Sequence, residues 1–345
     1  MGGSAFPNLT ISRIPHTIYN TLFHQHLKPL LTPYYCILRP PPSPGKTTHG
    51  DLDLLALPLG GAGGGFSGSL STHLSALAST TIKNSPTTSY AIPFPPSLGV
   101  GAGIFQLDIH MCVTKHQLQW TFFHHSYGDF CTIIRQLLVG TGLKLDDDGL
   151  HIRQGRGLLT LSTDPDEVLR FLGLDVDTFH RGDWRGLEEM FIYIKTCRFF
   201  GRGGGGRVEG KKDRKLLRQR EGVRVWVEEF LPTCQEEDEG GEGEEDVVAL
   251  AAEWFGKMEE YKEMVEKAER RGMEEDRWRV VREGLPLKTE REKDLTARLL
   301  RARWEMMAET EGELEKFVEE NWKEEWRRAL QNEKSWSAAF GKPFG

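Results

Sequence analysis

Between Met1 and Gly128 the chain has only three acidic side chains, Asp51, Asp53 and Asp108. Six basic ones share that stretch: Arg13, Lys28, Arg39, Lys46, Lys83 and Lys115. The rest of the chain holds 38 Lys/Arg and 48 Asp/Glu, so the formal net charge of −7 conceals a lopsided distribution. A solvated surface is ordinarily about a quarter charged, with both signs mixed. Asp53 and Asp108 interrupt apolar, strand-like runs, where a carboxylate costs free energy unless something compensates its charge. That narrows these first 128 residues to a fold with strands that carry acids on purpose.

Length and composition bound the rest. With 345 residues, 38% hydrophobic and 10% aromatic, the chain can bury a core and leave room for a second, helical part. No run of 18 apolar residues suggests a membrane span, and Met1–Pro7 has neither the basic nor the apolar region of a secretory signal. The five cysteines (Cys36, Cys112, Cys131, Cys197, Cys234) are scattered and never spaced C-x-x-C. That disfavours a disulfide framework or a structural zinc and fits an intracellular location, cytoplasmic or nuclear.

Pro15, with Ile18, Tyr19, Leu22 and Leu27, predicts a helix. The prolines of Arg39–Pro44 exclude regular structure there. Asp51–Leu57, bounded by Gly50 and Pro58, predicts a strand entering a core, and Ile104–Val113 a second one. His116–Phe123 reads as a continuation of the β-rich style. The glycine run, about 59–70, reads as an insertion. Phe130, Ile133, Ile134, Leu137 and Leu138 have helical spacing, and Gly149–Arg153 with Leu158–Ser162 reads as a hairpin. Thr163 or Asp164, then Pro165, Asp166 and Glu167, announce a helix; another is expected from about Leu187 to Phe200, and Val223–Phe230 resumes apolar periodicity. Arg202–Arg220 reads as an exposed loop in preference to a localisation patch. The expected organisation is a core over 1–162, a helical region over 163–235, an acidic linker over 236–246 and a charged helical tail over 247–345. That tail, which mixes Glu with Lys/Arg and carries several tryptophans, reads as a salt-bridge-laced lid or bundle, with a protein partner as the alternative.

Asp51 and Asp53, two apart on a strand, project from one face. Two adjacent carboxylates repel unless a cation lies between them. Mg²⁺ (or Mn²⁺) suits such a pair, since it takes oxygen ligands and leaves positions for water and phosphates. With Asp108 on a neighbouring strand, three carboxylates could hold two ions and clamp an in-line phosphoryl or nucleotidyl transfer, Asp108 serving as ligand or general base. The bland alternative is a turn-capping pair and a surface Asp.

Gly2-Gly3-Ser4, Gly50-Asp51-Leu52-Asp53-Leu54 and Asp108 in its apolar strand resemble the nucleotidyltransferase fold superfamily that includes DNA polymerase β. Segments such as Leu118–Phe123, Tyr127-Gly128-Asp129, Thr163-Asp164-Pro165, Phe171–Leu174, Glu188–Phe191 and Trp226–Phe230 resemble a fungal group within it. The resemblance covers about Met1 to Cys234 and leaves the charged tail outside. It implies an α/β (α+β) fold, a mixed sheet followed by helices that complete a cleft. It implies Gly3 and Ser4 as contacts to the triphosphate of an NTP. In that superfamily a strand leads into the glycine turn and a short excursion follows it; here the turn stands at residues 2–4, and 46 residues separate Ser4 from Asp51.

The expected function is metal-dependent transfer of a nucleoside monophosphate from an NTP to a hydroxyl acceptor. The alternative is an inactive module of that fold that binds a nucleotide or a protein. Lys46 and His49 precede the acidic strand and could meet phosphate or a base, or belong to a solvated loop; Lys46 is counted with the nucleotide contacts. Lys115 and Arg153 could contact phosphate, though no spacing requires it. Gly63–Gly68 matches G-x-G-x-x-G, but no acid lies between Asp53 and Asp108 to bind a ribose, which excludes a dinucleotide fold. His124 and His125, read on a strand, would face opposite ways, so at most one could join a site. Ser126 lacks a glycine elbow. Overall acidity disfavours an extended nucleic-acid footprint.

Overall fold

The computed structural model describes residues 3–60, 68–201, 211–234, 246–306 and 314–340. Gly2, most of the glycine run, residues 202–210 and nearly all of the acidic linker lie outside them. The chain forms two compact units, Met1–Tyr261 and Lys262–Gly345.

The first unit is mixed α+β. A two-residue bridge pairs β1 (Ile14–Pro15) with β3 (Thr48–His49). The main sheet holds β2 (Tyr35–Leu38), β4 (Asp51–Pro58), β5 (Ala78–Thr81), β6 (Thr87–Pro93) and β7 (Ile104–Met111), in the order β2-β4-β7-β6-β5. Only β4 and β7 run parallel; the other neighbours are antiparallel. A second sheet orders β8 (Leu143–Asp146), β9 (Gly149–Gln154) and β10 (Gly157–Ser162) as β10-β9-β8. The predicted hairpin is β9–β10.

Alternation divides the main sheet into two faces. Leu52, Leu54 and Ala56 of β4, with Phe105, Leu107 and Ile109 of β7, pack on Tyr19, Leu22, Phe23, Leu27 and Leu31. Those five lie on a helix that starts at His16 behind Pro15 and ends at Leu31, with a π turn at Leu22–Leu27. Burying each such Leu or Phe stabilises the fold by about 1.5–3 kcal/mol. On the opposite face Leu55 meets Cys112 and Leu118, with Leu57 and Phe122 beside them. A helix therefore covers the C-terminal half of β4 and leaves Asp53, nearer its start, exposed.

That covering helix, Lys115–His125, corrects the β-style reading of His116–Phe123. Thr114 accepts from the Gln117 N–H, while the Gln117 side chain accepts from the Val113 N–H, so side chains satisfy two N-terminal donors at the helix start. The next helix, Phe130–Leu137, follows the predicted spacing.

Asp164 caps Pro165–Phe171 through the N–H groups of Asp166 and Glu167, as expected. The helix predicted over Leu187–Phe200 spans Leu187–Lys195. Part of the segment read as a loop, Lys211–Gln219, is helical. Glu221–Val225 runs into a π turn at Trp226–Phe230. Trp226 is fully buried and stacks on Phe230, with ring centroids 5.1 Å apart. Val247–Trp254, assigned from sequence to the charged tail, belongs to the first unit.

The second unit has its own core of Trp278, Leu285, Leu300, Leu314 and Phe317. Its helices are laced by ion pairs, among them a fully buried Glu325 that accepts from Arg303 and Arg328. Among the described residues no helix is long and apolar enough to cross a membrane.

Candidate active site

The parallel register of β4 and β7 sets Asp51 beside Gln106 and Asp53 beside Asp108. Side chains at i and i+2 share a face, so all four project together on neighbouring strands about 4.8 Å apart. Gly3 and Ser4 are far away in sequence but not in space. The Gly3 N–H donates to Asp51 Oδ2 at 3.2 Å, and the Ala5 N–H donates to Gln106 Oε1 at 3.0 Å. Gly3 has φ +83°, and a Cβ there would stand 2.6 Å from the Gly50 carbonyl oxygen, so the close approach requires glycine. The Gly3 N–H is thus occupied by a carboxylate; Gly3 acts on the site by holding Asp51. Ser4 is exposed.

Gln106, which the sequence reading did not single out, links the two halves. Its buried amide also donates to both oxygens of Asp108 at 3.0 Å. Its position two residues before Asp108 on the same strand face was the available signal. Among the described residues no three His, Cys, Asp or Glu side chains form a group set to hold a metal ion. Asp51 and Asp53 line a cleft of about 280 Å³; Asp108 is not among its walls. In kind, the pair of hard carboxylate oxygens fits Mg²⁺ or Mn²⁺.

The electrostatics point the same way. Asp53 is solvent-accessible from the cleft, although protein atoms crowd it on its other sides. That crowding, then the charges of Asp51 and Asp108, push its carboxyl up to about 7, with Lys46 opposing. Burial also raises Asp108, against hydrogen bonds from Ser89 and Gln106. A cation placed between the acids relieves this repulsion.

Lys46 is exposed in the cleft, whereas His49 is buried. The His49 ring stacks on Tyr19 at 3.8 Å and meets His16 Nδ1 at 3.1 Å. Burial, and after it Lys46, hold His49 down to about 4, so it is a neutral packing group at pH 7. The two histidines of the Lys115–His125 helix also depart from expectation: both His124 and His125 line the cleft. Consecutive helical residues are ~100° apart, not ~180°, so neither is turned away. His124 is hydrogen-bonded to Arg135, and both reach Asp147. Burial lowers the pKa of both histidines, His124 to about 4.

Asp129 accepts from Arg220 at 3.1 Å and from the Gly222 N–H at 3.0 Å, which ties two segments 91 residues apart across the cleft wall. Ser126 is buried and donates to the Phe122 carbonyl, a structural role. Lys115 and Arg153 do not line this cleft. All five cysteines are free. Compared with known proteins, the chain matches no family model and no curated protein.

Proposed function

We propose that the chain is a nucleotidyltransferase that transfers a nucleoside monophosphate from an NTP to a hydroxyl acceptor and releases pyrophosphate. The observation that carries this reading is the β4–β7 register, which sets Asp53 beside Asp108, with Asp51 two residues along in a cleft that also holds Lys46. Asp51 and Asp53 would hold the divalent ion, and that ion would neutralise charge on the triphosphate. Lys46 has no ion-pair partner among the described residues and offers its ammonium to the phosphates. Gly3 fixes one rotamer of Asp51. Asp108, its carboxyl raised by burial, is the candidate base for the acceptor proton once Gln106 releases an oxygen. Five free cysteines go with a reducing compartment, cytoplasm or nucleus.

One observation favours a second reading, a fold retained for binding without catalysis: Gln106 donates to both Asp108 oxygens. Calorimetry of NTP binding with and without Mg²⁺ or Mn²⁺ decides between these readings and a null result, using the wild type and an Asp51→Asn/Asp53→Asn variant. Metal-dependent binding that weakens at least ~30-fold in the variant, about 2 kcal/mol, supports the metal site. Metal-independent binding supports the second reading, and no binding by folded wild type defeats the transferase reading and leaves a protein-binding scaffold.

A further inference from the structure

Two larger chambers adjoin the Asp51/Asp53 cleft, and all three share Ser43 and Lys46 in their walls. One chamber, of about 520 Å³, carries Arg13 and Arg220 as well as Lys46, with the hydroxyls of Thr47 and Thr48 alongside. Arg13 uses two donors on Thr48, Nε to Oγ1 and Nη2 to the carbonyl oxygen, both at 3.0 Å. That orients its guanidinium and leaves the remaining donors free. Neither Arg13 nor Lys46 has an ion-pair partner among the described residues. The chamber's two acids are Asp129, satisfied by Arg220 and the Gly222 N–H, and Glu221. Two of the six basic side chains of the acid-poor N-terminal stretch, Arg13 and Lys46, thus line this chamber.

Asp51 and Asp53 are not in this chamber, and its wall of Arg13, Thr47 and Thr48 lies outside the cleft they line. We propose that the chamber is a second anion site, with Arg13 as its principal ligand, and that it receives a phosphate monoester. Resting on the transferase reading, the acceptor is then a phosphorylated alcohol whose hydroxyl reaches the acids while its phosphate sits against Arg13, with Lys46 left to the NTP phosphates. A phosphate dianion matches this wall because its terminal oxygens can accept from the arginine fork and from the Thr47 and Thr48 hydroxyls together.

The test is calorimetry on the full chain with ribose 5-phosphate as probe, in EDTA, with ribose as control. Ribose 5-phosphate should bind and ribose should not. Arg13→Gln should weaken binding about tenfold or more, and Arg13→Lys should restore part of it. Circular dichroism checks that both variants fold, as expected for an exposed side chain. Asp51→Asn/Asp53→Asn should leave the probe's affinity unchanged, and saturating Mn²⁺–NTP should not displace it. Absence of binding, equal binding to Arg13→Gln, or displacement by Mn²⁺–NTP overturns the second site. Failure of Mn²⁺–NTP to bind, with the probe still bound through Arg13, defeats the transferase reading and leaves the anion site standing.

Discussion

Asp53 keeps its proton to near neutrality because crowding by protein, then Asp51 and Asp108, disfavours the ionised form. Its folded pKa lies above the unfolded value of ~3.9, so the folded state binds this proton more tightly. The contribution is therefore fully present below about pH 4 and is lost as pH rises through about 7. In EDTA, Asp53→Asn should melt with the wild type at about pH 3.5 and above it at pH 8. After discounting for solvent screening at an accessible group, the gain is ~1 kcal/mol, or ~2–4 °C by scanning calorimetry. A variant that melts lower at pH 8 would remove the repulsion argument. Gly3→Ala carries a second prediction. Strain of ~1–3 kcal/mol at a positive φ, with the clash against Gly50, should displace Asp51's hydrogen-bond donor. Mn²⁺–NTP affinity should fall about tenfold by calorimetry while the far-UV circular dichroism stays unchanged. At this scale the carboxylates were legible because they are rare and stand in apolar runs. The ties from Gly3 to Asp51 and from Ala5 to Gln106 were not, since nothing local reveals that the chain returns after 48 or 101 residues.

Among the elements, β4 and β7 were readable because continuous apolar residues bounded by glycine or proline leave few alternatives. Their parallel pairing was not readable, since register depends on a crossover of about 50 residues and not on either strand alone. The edge strand β5, Ala78–Thr81, is mostly exposed and offers no alternation of apolar residues to detect. His116–Phe123 misled for a different reason: Leu118, Trp120 and Phe123 are buried at spacings of two and three, a pattern that a short window assigns to either period. Thr114 and Gln117 were the decisive signals there. Thr114→Ala should destabilise the first unit by ~1 kcal/mol in urea melts, with the slope unchanged. A neutral result would mean that packing of Leu118 and Trp120 alone sets the helix start.

At the scale of the molecule, each unit has a separate core, so unfolding should not be a single cooperative event. Scanning calorimetry should resolve two transitions. Glu325→Gln, which strips charge from a buried partner of Arg303 and Arg328, should lower only one of them, by ~1–3 kcal/mol. A shift of both transitions would show that the units melt together. In the first unit, Ser43 and Lys46 are common to three adjoining chambers. Such a party wall has a consequence for ligand design. A single compound that carries a nucleoside triphosphate at one end and a phosphorylated alcohol at the other meets the second chamber at millimolar effective concentration once its first end is seated. A series of such compounds with graded tethers would act as a ruler, and the tether at which affinity peaks would measure the distance between the two seats.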